Sequence, residues 1–178
     1  MDTIRMNSED MSRTAGTLRA GEKVLLSGPV FTARDAAHKR IFAMLDRGEE
    51  PPFPLSGATV YYAGPTPTPP GRPIGSCGPT TSARMDGYTP RLLSLGLKGM
   101  IGKGNRSQAV VDAIRRSGAV YLCAIGGAGA LAAKCVTSLE VIAFEDLGCE
   151  SVKKLIVRDF PLLVAIDCHG GSLFEAPV

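Results

Sequence analysis

Short apolar runs alternate with stretches of helical periodicity through the middle of this chain, and that alternation leaves few folds open. Lys23-Val24-Leu25-Leu26-Ser27-Gly28 reads as a buried strand ending in a glycine turn. Phe31-Thr32-Ala33-Arg34-Asp35 then leads into a helix of about fifteen residues, with Ala37, Ile41, Met44 and Leu45 at helical spacing. Asp35 or Thr32 offers its cap, and Gly48 and Pro51-Pro52 stop it. Ala58 to Ala63 is a second strand, β-branched and aromatic in character. Thr80 to Asp86 begins a helix that Gly87 and Pro90 break before Leu95. Leu97 to Gly102 forms a strand running into Lys103-Gly104-Asn105-Arg106, and Ser107 to Ser117 a helix. Ala119 to Ile125 is a fourth strand, followed by a small-residue turn and short helix over Gly126 to Lys134. The tail from Val152 to Asp167 carries two apolar runs around Pro161, and Met1 to Met6 reads as an edge strand. The class is α/β.

A chain of 178 residues buries about 70% of its unfolded surface, which supports one core, so residues 1–178 are read as a single domain. The net charge of +3 and the 6% aromatic content argue against a nucleic-acid protein, which shows a strong basic excess or an aromatic-basic face. No run is long and apolar enough for a membrane span, and the start lacks the order of a signal peptide. Cys77, Cys123, Cys135, Cys149 and Cys168 form an odd set without CxxC spacing. They read as free thiols of a cytoplasmic chain that holds no metal by itself.

Charge is unevenly placed. Between Thr80 and Arg106 stand Arg84, Arg91, Lys98, Lys103 and Arg106 against Asp86 alone, so this segment carries +4 and the remainder −1. It opens on Gly78-Pro79-Thr80-Thr81, which sets hydroxyls and free N–H groups at a helix start, where anions bind. Arg84 lies one turn on, and its planar fork suits a carboxylate. The plainer reading is a capping threonine and a solvated arginine. The Lys103-Gly104-Asn105-Arg106 turn adds a second cluster of donors, with glycines that admit a ligand close to the backbone. Arg34, Asp35 and His38 share the spacing of one helical face, and a surface His38 paired with Asp35 is the alternative there. Residues 64–79 are nearly all Gly, Pro, Thr and Ser, a linker or, on the stiffness of proline, a shaped active-site loop. The residues alone give a cationic site for a small carboxylate.

Gly78-Pro79-Thr80-Thr81-Ser82-Ala83-Arg84-Met85-Asp86 followed by Lys103-Gly104-Asn105-Arg106 resembles the signature of the β subunit of class I fumarate hydratases and L(+)-tartrate dehydratases. The same region is the C-terminal domain of larger members. Leu26-Ser27-Gly28 with Arg34-Asp35-Ala36-Ala37-His38, and Val157-Arg158-Asp159-Phe160-Pro161, resemble the family's early and late segments. Ser82-Ala83 stands where Ala-Gly is common, which leaves the charged and hydroxyl groups of the motif in place.

The resemblance implies a swivelling β/β/α domain, with a mixed central sheet flanked by helices, that closes over a partner α subunit. It implies that this α subunit carries a [4Fe-4S] cluster and that the assembly is a hetero-oligomer hydrating fumarate to (S)-malate. By motif position, Arg34, Arg84 and Lys103 hold the substrate carboxylates, joined by Thr81, Asn105 and Arg106. Thr80 takes the role of catalytic base, and His38 that of proton carrier or orienting group. A tartrate dehydratase β subunit is the alternative within the family. An anion-binding module that gates its partner is the non-enzymatic alternative.

Overall fold

The computed structural model describes residues 2–124 and 129–174. Among these, seven strands form one mixed sheet in the order β1-β2-β3-β4-β5-β7-β6, with a further pairing of β2 to β7. The strands are β1 (Ile4–Asn7), β2 (Lys23–Thr32), β3 (Thr59–Tyr61), β4 (Gly99–Gly102), β5 (Val120–Ala124), β6 (Val136–Ala143) and β7 (Val152–Ile166). The α-helices are α1 (Met11–Thr14), α2 (Asp35–Asp46), α3 (Thr89–Ser94), α4 (Gln108–Ser117) and α5 (Gly129–Cys135). β1 to β5 run parallel to their neighbours, while β7 runs antiparallel to β2, β5 and β6. Because β7 pairs with both β2 and β5, the strands β2, β3, β4, β5 and β7 close into a ring.

The ring explains why β3, β4 and β5 are apolar at nearly every position: both faces are covered. Alternate residues feed two cores. Leu26, Val30, Tyr61, Ile101, Leu122, Leu155 and Leu162 pack into one cluster inside the ring, reached by Met11, Ala15 and Leu18 from the α1 region. Val60, Tyr62, Met100 and Tyr121 face the other way, onto Ala37 and Ile41 of α2, Leu92 and Leu93 of α3, and Val110, Ala113 and Ile114 of α4. α4 shows how little the sequence needs for this. Ser107 accepts from the Val110 N–H as N-cap, three apolar residues share a face, and Gly118 ends the helix in the left-handed conformation at φ 65°.

Several elements depart from the sequence reading. β2 does not end at Gly28. That residue has φ +104° and sits at a register shift against β7, so it is a bulge inside a ten-residue strand. β7 joins the two apolar runs into one fifteen-residue strand with Pro161 inside it. Asp159, at φ 48°, bends the chain just before the proline. There β7 exchanges its partner on one edge, from β6 up to Val157 to β5 from Leu162. β6 was not foreseen, because Thr137, Ser138, Glu140 and Val141 face solvent and its apolar signal is weak. α2 is twelve residues long, with Arg34 as N-cap and no cap from Asp35 or Thr32. The glycine turn expected over 126–128 lies outside the described residues.

Candidate functional site

The parallel strands bring their carboxyl ends to one end of the ring, the usual place for ligands in sheets of this kind. Arg34 follows β2, Lys103 follows β4, and the segment 79–82 crosses between the ends of β3 and β4. Pro79 pairs with Ala63, the Thr80 N–H donates to the Tyr62 carbonyl at 2.7 Å, Thr81 pairs with Lys103, and the Ser82 N–H donates to the Lys103 carbonyl at 2.9 Å. These bonds correct the expected helix at Thr80. Thr81 is extended, and the helix is a single 3₁₀ turn over Ser82–Met85. The Thr80 and Ser82 N–H groups that were to meet an anion serve the strand ends instead. What this leaves is side chains: a half-buried Thr80 and exposed Thr81 and Lys103.

The loop 64–79 delivers Thr80 to this place. Its ends are tied by the Ala63–Pro79 pairing, by Thr66 N–H to the Ser76 carbonyl at 2.9 Å, and by Ser76 N–H to Thr66 Oγ1 at 2.8 Å. Ile74 and Cys77 are buried in the inner core, and Tyr61 donates to the Cys77 carbonyl at 2.5 Å. These bonds hold both ends of the segment against the end of β3. A cavity of about 440 Å³ lies between its Pro69 to Ser76 stretch and α5, away from Arg34, Thr80, Arg84 and Lys103. Arg84 and Lys103 are exposed, and Arg34 and Thr80 are partly so.

The three arginines of the motif differ sharply. Arg84 forms a bidentate pair with Asp35, Nε at 3.0 Å and Nη2 at 2.8 Å, and its side chain is 52% exposed. This pair ties the Ser82–Met85 turn to the start of α2. Arg106 is withdrawn from the surface, with no side-chain exposure. It donates through Nε to Asp86 at 2.7 Å and through Nη2 to Thr89 at 2.8 Å, and its guanidinium lies over the rings of Tyr62 and Tyr121. Asp86 also accepts the Ser107 N–H at 2.7 Å. Arg106, expected among the substrate ligands, thus fastens the turn after β4 to the turn after Thr80. Asn105 supports the same turn, its Oδ1 accepting the Arg106 N–H at 2.7 Å.

Arg34 is the opposite case. No hydrogen bond uses its guanidinium among the described residues, and its Nε is buried without a partner. Gly64 lies against it so closely that a Cβ there would sit 2.9 Å from Nη1. The carboxylate of Glu150 approaches Nε to 3.9 Å, a charge contact beyond hydrogen-bond reach.

His38 leaves the shared face with Arg34 and Asp35 that its spacing predicted, and turns into the core between the rings of Tyr62 and Tyr88. Its Nδ1 lies 2.8 Å from the Arg34 carbonyl, which only accepts, so Nδ1 carries the proton and the neutral ring keeps Nε2 free of one. Burial draws its pKa down to about 4, so it is neutral at pH 7 and fixes the backbone of Arg34. Tyr121 completes the support. Its hydroxyl donates to the Gly104 carbonyl at 2.7 Å and receives the Ser82 hydroxyl at 2.8 Å.

Glu150, Lys153 and Tyr121 gave no signal as site residues in the sequence. Only the topology brings the β6–β7 turn back to the end of β2.

A family model described as the fumarase C-terminus matches residues 1–177. The chain belongs to the fumarase C-terminus family. It is 42% identical over 155 residues to the anaerobic class I fumarate hydratase of Escherichia coli, which covers 86% of this chain and 28% of that protein. Fumarate hydratase 2 of Leishmania major is also 42% identical, over 157 residues, again 28% of its length. A putative L(+)-tartrate dehydratase subunit β of Methanocaldococcus jannaschii is 38% identical over 168 residues, covering 89% of this chain and 84% of that protein. This member of the fumarase C-terminus family therefore spans little more than a quarter of the fumarate hydratases it matches and most of the tartrate dehydratase subunit.

The thiols of this fumarase C-terminus domain do not fit the ligand set of an iron-sulfur cluster. Cys77 is buried and Cys149 exposed, and the five cysteines lie on separate elements. Among the described residues, no three His, Cys, Asp or Glu side chains are placed to hold one metal ion. No helix of those residues is long and apolar enough to cross a membrane.

Proposed function

We propose that residues 1–178 form one swivelling β/β/α domain, the substrate-clamping part of an iron-sulfur fumarate hydratase, acting as a β subunit with a cluster-bearing α partner. The observation that carries this reading is Arg34. A buried guanidinium N–H without a partner costs about 1–3 kcal/mol, and a carboxylate placed at the strand ends removes that cost. Arg34 and Lys103 supply cations just beyond the ends of β2 and β4, which flank β3, and Arg84, paired with Asp35 in this chain, lies on the adjoining turn, a set that suits a molecule with two carboxylates.

In the elimination direction, a base takes the proton from the carbon beside one carboxylate, and the electron pair spreads into that carboxylate. The cations neutralise the charge that builds there, which is where fixed charges lower a barrier most. Thr80 is the base in this reading. A threonine hydroxyl in water is far too weak, and the positive field of Arg34 and Lys103 favours its alkoxide. His38, neutral and bonded to the Arg34 carbonyl, positions and does not carry the proton. Departure of the hydroxyl group belongs to the partner's half of the site, and no step of it is assigned to this chain.

A second reading has its own observation. The match to the tartrate dehydratase β subunit runs over 84% of that protein, whereas the fumarate hydratases extend well beyond this chain. Anaerobic assay of this chain co-produced with its α partner decides between them. The proposal expects kcat/KM for fumarate to exceed that for L(+)-tartrate by at least about tenfold, the size of one well-placed polar contact. The opposite order makes the chain a tartrate dehydratase subunit. A partner fully active alone reduces this chain to a gating module.

A further inference from the structure

Arg34 owes its geometry to a turn more than a hundred residues away. We infer that Glu150 is a positioning residue for Arg34, an inference that rests on the reading of Arg34 as a carboxylate ligand. Three independent contacts converge on it. First, the turn that carries Glu150 is locked in place. Lys153, buried on β7, donates from Nζ to the carbonyls of Gly148, Cys149 and Ser151 at 3.3, 3.1 and 3.1 Å and to Ser151 Oγ at 2.8 Å. Thr32, the last residue of β2, joins in: its hydroxyl donates to the Ser151 carbonyl at 3.4 Å and accepts the Lys153 N–H at 3.1 Å.

Second, Glu150 supplies what the start of α2 lacks. Neither Asp35 nor Thr32 caps that helix, and Glu150 Oε1 accepts the Ala36 N–H at 3.3 Å. Third, the same carboxylate lies 3.9 Å from Arg34 Nε, and Gly64 packs closely against the same side chain. A Cβ at Gly64 would meet Arg34 Nη1 at 2.9 Å and the Cys149 carbonyl at 3.2 Å, so a side chain at position 64 would press on the guanidinium.

The 3.9 Å distance is informative. A bidentate carboxylate, like Asp35 on Arg84, would occupy the fork. Glu150 stands close enough to orient the guanidinium by charge and too far to accept a hydrogen bond from Nε, which leaves the Nη groups to a ligand. A carboxylate that only capped α2 would act on stability alone and would be indifferent to the residue at position 34.

A double-mutant cycle in the holoenzyme separates the two roles. Glu150→Gln keeps the shape and the acceptor for Ala36 while removing the charge. The expected result is a KM for fumarate raised by about five- to tenfold with kcat within about twofold, measured on folded, cluster-loaded enzyme so that lost stability cannot mimic it. In an Arg34→Lys background the same substitution adds nothing. Glu150→Asp, which restores the charge, recovers part of the lost affinity. An unchanged KM in Glu150→Gln, or an equal effect in both backgrounds, overturns the inference. If Arg34→Lys itself leaves KM unaltered, the role given to Arg34 fails instead.

Discussion

His38 and Asp86 show how burial decides what a titratable side chain does here. The folded pKa of His38, about 4, lies below its ordinary value of 6.5. Below pH 6.5 the unfolded chain therefore binds a proton that the folded chain refuses. Stability from this group is complete above pH 6.5, falls as pH drops toward 4 and levels off below. The full loss is up to about 3 kcal/mol. Denaturant titrations at pH 7.5 and pH 4.5 should show the fall, and His38→Asn should flatten it; an equal slope in the variant would remove His38 as its source. Asp86 has the complementary role. It balances the fully buried Arg106 and holds the Ser107 N–H, so Asp86→Ala strands a charge in the core. Breaking such a pair costs about 3–5 kcal/mol, which equilibrium unfolding reads directly. The sequence displayed Arg106 as one more cation of a basic segment. Nothing in the spacing of Asp86 and Arg106 says that they meet, because their contact depends on how β4 returns beside the Ser82–Met85 turn.

The elements that build the site were legible to different degrees, each for a physical reason. β3, β4, β5 and α4 follow from apolar runs and caps that act locally. The turn at 80–86 did not, because the extended conformation of Thr81 and the bond from the Thr80 N–H to Tyr62 are imposed by the ends of β3 and β4 and not by local preference. β6 and the turn carrying Glu150 were hidden by their polarity. The close approach of these elements predicts where substitution is not tolerated. A Cβ on Gly102 would run into Ser82 Oγ and sit 2.8 Å from the Tyr62 ring. Gly102→Ala should cost about 1–3 kcal/mol in chemical denaturation and displace Lys103, a neighbour of the strained position. Tyr121→Phe removes the hydroxyl that joins Ser82 to Gly104 across the site. It should cost about 1–2 kcal/mol, and an unchanged unfolding midpoint would show that this bridge does not matter.

At the scale of the whole molecule, closure of β7 onto β2 and β5 gives a ring whose carboxyl-terminal end lies beside Arg34, Thr80, Arg84 and Lys103. The segment read as carrying the whole positive excess resolves into distinct tasks. Arg84 is paired with Asp35, Arg106 sustains the core, and Lys103 faces outward. Arg34, outside that segment, has a guanidinium that no hydrogen bond uses among the described residues. A partly exposed set of this kind completes a site only when another surface covers it, as the proposed α–β assembly requires. The most direct test is the anaerobic kcat/KM for fumarate hydration by the proposed α–β assembly with Arg34→Ala in this chain. A loss of at least about a hundredfold is expected, the worth of a charge-assisted carboxylate contact in the reacting complex. Turnover within about twofold of the unsubstituted enzyme would contradict it.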